Sequence, residues 1–199
     1  MNVKDKFWQW FGEHEQTLFE LEADQEAIFD QIAAELQIVD PDLTFELGPP
    51  EPRREFIVSA GGIERAFPAV ISLVDSAPKF ARWRVIAFRP RRPFPDLIEL
   101  SGKSVNSLEA QFSLLDNGRK AGIYLFIPNF RDDDVVLKQI GYLLLDGALG
   151  EFDVETRLGL IRMLAPEAPT TTQRYPLAEL PRQFDQLINR LEGRSEYIS

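Results

Sequence analysis

The sequence contains no cysteine and a single histidine, His14. The first absence removes thiol nucleophiles, thiolate zinc centres, iron–sulfur clusters and structural disulfides together. The second leaves no two-histidine metal site and argues against a Ser-His-Asp arrangement. No uninterrupted apolar run approaches the roughly 18 residues that span a bilayer, so no membrane association is expected. Phe7, Trp8, Trp10 and Phe11 form too short a run for a secretory leader, and no small-residue cleavage site follows them. The expected location is the cytoplasm. Gly61-Gly62 and Gly102-Lys103-Ser104 have neither P-loop nor dinucleotide-binding spacing, and Ser59, Ser72, Ser76 and Ser101 lack a nucleophile-elbow context. No cofactor is therefore expected.

What is present describes a folded globular chain: 199 residues, 44% hydrophobic and 27% charged. A chain of this length buries about 70% of its unfolded surface, enough for one core without metal or disulfide. The expected layout is a single domain over 1–199. It has an N-terminal helical segment (1–40), a sheet-containing core with inserted helices (41–165), and a loop followed by a C-terminal helix (166–199).

Charge is unevenly placed. Residues 1–52 carry 2 basic and 13 acidic side chains, residues 53–92 carry 9 and 3, and the whole chain has a formal net charge of −10. That balance opposes the positive field a nucleic-acid binder needs. It leaves room for a local anion site in the middle segment.

Phe7, Phe11, His14, Leu18, Leu21, Ile28, Ile32 and Leu36 recur at helical spacing, and Glu13, Glu20, Glu22, Asp24, Glu26 and Asp30 fall on the other face. The pattern predicts two or three helical pieces, with Pro41 ending the region. Residues 43–47 and 55–59 read as a hairpin, 66–76 as a short helix, and 83–88 as a strand whose sheet 97–100 continues. Strands over 109–115 and 121–127 flank Asn117-Gly118, a strong hairpin signal. Asp132-Asp133-Asp134 caps a helix that begins at Val135. Residues 155–164 read as a strand and 177–191 as an amphipathic helix. Helices followed by mostly antiparallel strands predict an α+β fold, with an N-terminal helical segment and helices packed on one face of the sheet.

Four places invite chemistry. Glu151, Asp153 and Glu155 alternate at i, i+2, i+4, which on a strand puts three carboxylates on one face, fit for a divalent metal or an acid/base pair. The ordinary explanation, a solvated edge or pairing with Arg157 and Arg162, is the favoured one. Arg82, Arg84 and Arg89 surround Trp83 and Phe88; their forks suit phosphate or carboxylate, or else they neutralise the acidic N-terminal helices. His14 lies on the apolar stripe, where a packed core role is expected. Trp8 and Trp10 share one crowded helical turn with Phe7 and Phe11, so one of them is left for a partner unless a neighbouring element covers all four.

The strings FWQWF (7–11), EFIVSAGG (55–62), DSAPKFARW (75–83) and LGEFDVET (149–156) resemble those of uncharacterised bacterial proteins of unknown function. The resemblance implies a bacterial cytoplasmic protein and carries no functional residues. The favoured function is a non-enzymatic binding module whose partner is another protein. The alternatives are a metal-assisted or acid/base hydrolase built on Glu151, Asp153 and Glu155, and a small-anion-binding protein built on Arg82, Arg84 and Arg89.

Overall fold

Residues 2–21, 25–93 and 96–196 are described by the structure, a computed structural model. The chain groups into two compact units, Met1–Arg89 and Pro90–Ser199. The division falls inside the 41–165 stretch that the sequence pattern treats as one sheet-containing core.

In the first unit, α1 (Val3–Glu13) starts with a capping box: the Asn2 side chain accepts from the Asp5 N–H, and the Asp5 carboxylate reaches back to the Asn2 N–H. Its buried face is Phe7, Trp8 and Phe11. The short α2 (Glu15–Glu20) buries Leu18 and stops at Leu21, which takes a left-handed conformation (φ 50°). In α3 (Gln25–Val39), Ile28, Ile32 and Leu36, four residues apart, form the buried stripe. Glu22 and Asp24, assigned to the solvated face, lie outside the described residues.

The expected hairpin forms: β1 (Thr44–Leu47) pairs antiparallel with β2 (Arg54–Ser59), Thr44 opposite Ser59. The next strand, β3 (Trp83–Ala87), pairs with β2 in parallel, Arg54 beside Trp83. Between them α4 (Phe67–Asp75), with Pro68 tolerated in its first turn, returns the chain in the same direction. α1 and α4 meet directly, because the Trp8 indole N–H donates to the Leu73 carbonyl at 2.9 Å. The fully buried Phe56 ring lies among Phe7, Phe11 and Trp83, with centroids 4.9–6.4 Å away.

Among the described residues the second unit holds two sheets. Strand β4 (Leu97–Leu100) pairs with β5 (Lys103–Asn106) in a separate two-stranded sheet, where the sequence pattern expects it to continue the preceding one. The order in the larger sheet is β8-β7-β6-β9. There β6 (Gln111–Asn117) and β7 (Lys120–Phe126) form the expected hairpin, and Gly118 (φ 85°) takes the left-handed turn position. The Asp134 side chain accepts from the Leu137 N–H at 3.0 Å and caps α5 (Val135–Leu149), as the acidic triplet predicts.

Residues 155–164 are a correction. Gly150 (φ 80°) restarts the chain as a second helix, α6 (Glu151–Arg157), and only then does β8 (Leu158–Leu164) run parallel to β7. The two-residue β9 (Tyr175–Pro176) adds to β6, and α7 (Leu180–Glu196) closes the core with Leu180, Phe184, Leu187, Ile188 and Leu191. Among the described residues four strand pairings are antiparallel and two parallel. The fold is α+β, mostly antiparallel, with N-terminal helices.

Candidate functional site

The three carboxylates of 151–155 do not converge. On α6 a step of two residues turns about 200°, so Asp153 points away from both Glu151 and Glu155. Glu151 is fully buried, and Asp153 is bound by Arg91 at 2.6 Å and Arg157 at 3.3 Å. Arg162, the other expected counter-ion, lies instead over the Tyr124 ring at 6.0 Å. Among the described residues no group of three His, Cys, Asp or Glu is placed to hold a metal ion. The one-face arrangement required a strand, and the helix removes it.

The arginines of the middle segment are taken up one at a time. Arg82 contacts Glu15 at 3.2 Å, Arg84 contacts Glu55 at 3.5 Å, and Arg89 contacts Glu46 at 3.8 Å. Three separate acids of the first unit hold three separate guanidiniums, so Arg82, Arg84 and Arg89 do not form one anion site. Glu15 and Glu46 belong to the acidic N-terminal stretch, and the internal neutralisation expected from the charge asymmetry is present.

The aromatic turn is mostly core. Trp8 is buried and hydrogen-bonded to Leu73 and Ser76, so it has no face left for a partner. Trp10 is half-buried, 6.0 Å from Phe7 and 5.2 Å from the His14 ring. His14 is exposed, which corrects its expected core role: it ends α1 with φ −105° and ψ 7°, and its Nδ1 lies 2.8 Å from the Trp10 carbonyl. The helical stripe breaks where α1 gives way to α2.

Two arginines carry more structure than their sequence setting suggests. Arg91 binds Asp153, Asp185 and the Leu149 carbonyl within the second unit. Arg54 is 8% exposed, and its Nε is sealed from solvent without an acceptor. It stands in register with Trp83, itself 2% exposed, whose indole Nε1 is likewise sealed and unbonded. Strand alternation was the available signal, since Arg54 shares a strand face with the core residues Phe56 and Val58.

No protein-family model, no curated protein and no solved structure matches the chain. Among the described residues no helix is long and apolar enough to cross a membrane.

Proposed function

We propose that this chain is a non-enzymatic binding module of a bacterial cytoplasm, and that its partner is a protein with a basic surface. The observation that carries the reading is the outer face of the N-terminal helices. Glu13, Glu20, Glu26 and Asp30 are exposed there, and Phe29, 39% exposed, stands on α3 beside the last two. An aromatic ring among solvated acids supplies apolar contact area within a field that speeds encounter with a cationic surface. The same field repels phosphate, which argues against a nucleic-acid partner. The catalytic alternative loses its support because the carboxylates it needs are dispersed or ion-paired.

The test compares the full chain with a Glu13→Lys, Glu20→Lys, Asp30→Lys variant, each immobilised and exposed to a low-salt cytoplasmic extract. One basic protein retained in stoichiometric amount by the native chain, and released by charge reversal or by about 0.5 M salt, is the expected result. Retention of nothing in stoichiometric amount, or retention indifferent to the three substitutions, rejects the reading.

A further inference from the structure

The larger sheet of the second unit has two unlike edges. On one side β9 is two residues long and ends at Pro176, so little backbone is open there. On the other stands β8, seven residues without a proline, whose one neighbouring strand among the described residues is β7. The Leu164 carbonyl accepts from the Ile127 N–H at 2.9 Å, which turns the backbone of Leu160, Arg162 and Leu164 toward β7. Ile161 and Met163, the alternate residues, present N–H and C=O outward, with no partner among the described residues. The register irregularity against β7 falls at Ala121/Gly122 and leaves 160–164 evenly paired. Of the devices that ordinarily blunt a sheet edge, this stretch carries one, the charge of Arg162.

A groove of about 240 Å³ lies between this strand and α5. Residues 161–164 form one wall, and Lys138 and Tyr142, one turn apart on α5, stand in the other. The helix sits close to the strand because residue 141 is glycine; a Cβ there would overlap the Met163 sulfur. The volume is below the roughly 300–1,000 Å³ of a small-molecule site, and suits a single large side chain. Lys138 and Arg162 are exposed, and neither meets a carboxylate among the described residues; Arg162 lies against the Tyr124 ring. The groove holds one acid, Asp132, against these two cations. In a chain of net charge −10, this edge is locally positive. A second copy pairing its own β8 here would bring the cations of both chains together, so the charge selects an acidic occupant.

We infer that β8 receives an added strand: an extended, acidic segment of a partner protein. Its backbone pairs with the open N–H and C=O groups of Ile161 and Met163. One apolar side chain enters the groove beside Tyr142, and carboxylates face Lys138 and Arg162. Backbone pairing supplies affinity in such a mode, while the groove and its charges select the sequence. The site takes the opposite charge from the acidic helix face of the first unit, and either reading fails without the other.

The probe is the end-capped peptide EVEFEVE, titrated by calorimetry against the full chain. Its alternation gives one apolar face for the groove and one acidic face. KVKFKVK is the charge-reversed control. EVEFEVE methylated on the backbone nitrogens of its third and fourth residues keeps charge and side chains, but loses a donor toward β8 in either strand direction. Saturable one-to-one binding of EVEFEVE is expected, with both controls weaker by about tenfold or more. Bound EVEFEVE should slow amide hydrogen exchange at Ile161 and Met163 by about tenfold or more. Lys138→Glu with Arg162→Glu, two exposed positions, should reverse the preference in favour of KVKFKVK. If that pair does not fold, Arg162→Gln alone should weaken EVEFEVE by about threefold or more.

No saturation by roughly 1 mM EVEFEVE overturns the proposal. So does either control binding as tightly, exchange at Ile161 and Met163 that ignores the peptide, or a preference that survives the substitutions. A native chain that sediments as a dimer with these two amides already protected overturns it as well, because a second copy then fills the edge.

Discussion

Arg91 and Asp185 meet through two near-parallel contacts, Nη1 to Oδ2 at 3.0 Å and Nη2 to Oδ1 at 2.8 Å. The same guanidinium reaches Asp153 at 2.6 Å and the carbonyl of Leu149 at 2.9 Å. One side chain thus ties the end of α5 to α6 and α7. Its hydrogen bond to Asp185, opposed by desolvation and aided by Asp153, holds its pKa above the ordinary value. Arg91→Met should cost about 1–2 kcal/mol, a figure reduced because the side chain is one-third exposed. Thermal unfolding should show a loss of roughly 2–8 °C, and an unchanged midpoint would mean the fork contributes nothing to docking the helices.

Trp8 and Trp10 separate cleanly by substitution. Trp8→Ala removes a buried ring and leaves a cavity between α1 and α4, for an expected loss of about 3–5 kcal/mol. Trp10→Ala, at a half-buried site, should cost about 1–2 kcal/mol. Equal losses in urea unfolding would contradict the placement of Trp8 in the core.

Ser113 sits on β6 opposite Tyr124, fully buried, with its hydroxyl sealed and unbonded. Its desolvation is uncompensated, so Ser113→Ala should stabilise the chain by about 1 kcal/mol. A fall in the melting temperature would show that the hydroxyl has a partner after all.

The Asp134 carboxyl is held below its ordinary pKa, first by the hydrogen bond from Lys103 and then by the Leu137 N–H. A depressed folded-state pKa means stability that is present above the ordinary carboxylate range and is lost as pH falls through the folded value. Asp134→Asn should therefore be less stable than the native chain at pH 7, with the gap closing as pH falls below the ordinary carboxylate range. Urea midpoints at several pH values check this, and a gap constant with pH would place the effect in packing.

Short-range patterns were legible where one period ruled a whole element. Ile28, Ile32 and Leu36 declare the face of α3, and Gly118 turns the β6–β7 hairpin next to the expected Asn117. The readings failed where two periods fit the same residues. Phe152 and Val154 suit a strand, yet from Gly150 onward the backbone begins a helix, and the carboxylates Glu151, Asp153 and Glu155 that alternate with them scatter. His14 was drawn into a stripe that stops at the end of α1, because spacing alone does not record a change of axis. The face of Arg54 was readable from Phe56 and Val58. That its Nε is left without an acceptor among the described residues was not, because it depends on Glu15 and Glu55 being engaged by other arginines in three dimensions.

The placement of α7 bears on how the chain emerges during synthesis. Every core residue of the first unit lies at or before Phe88, whereas the second core is incomplete until Leu191 has been made. At roughly 5–20 residues per second, that interval is about 5–20 s on the ribosome. From the completion of α5 at Leu149 until Leu191 is made, the inner faces of β6, β7 and α5 lack their last cover. The second unit is thus the half of the nascent chain with the longer exposure to chaperones and to aggregation.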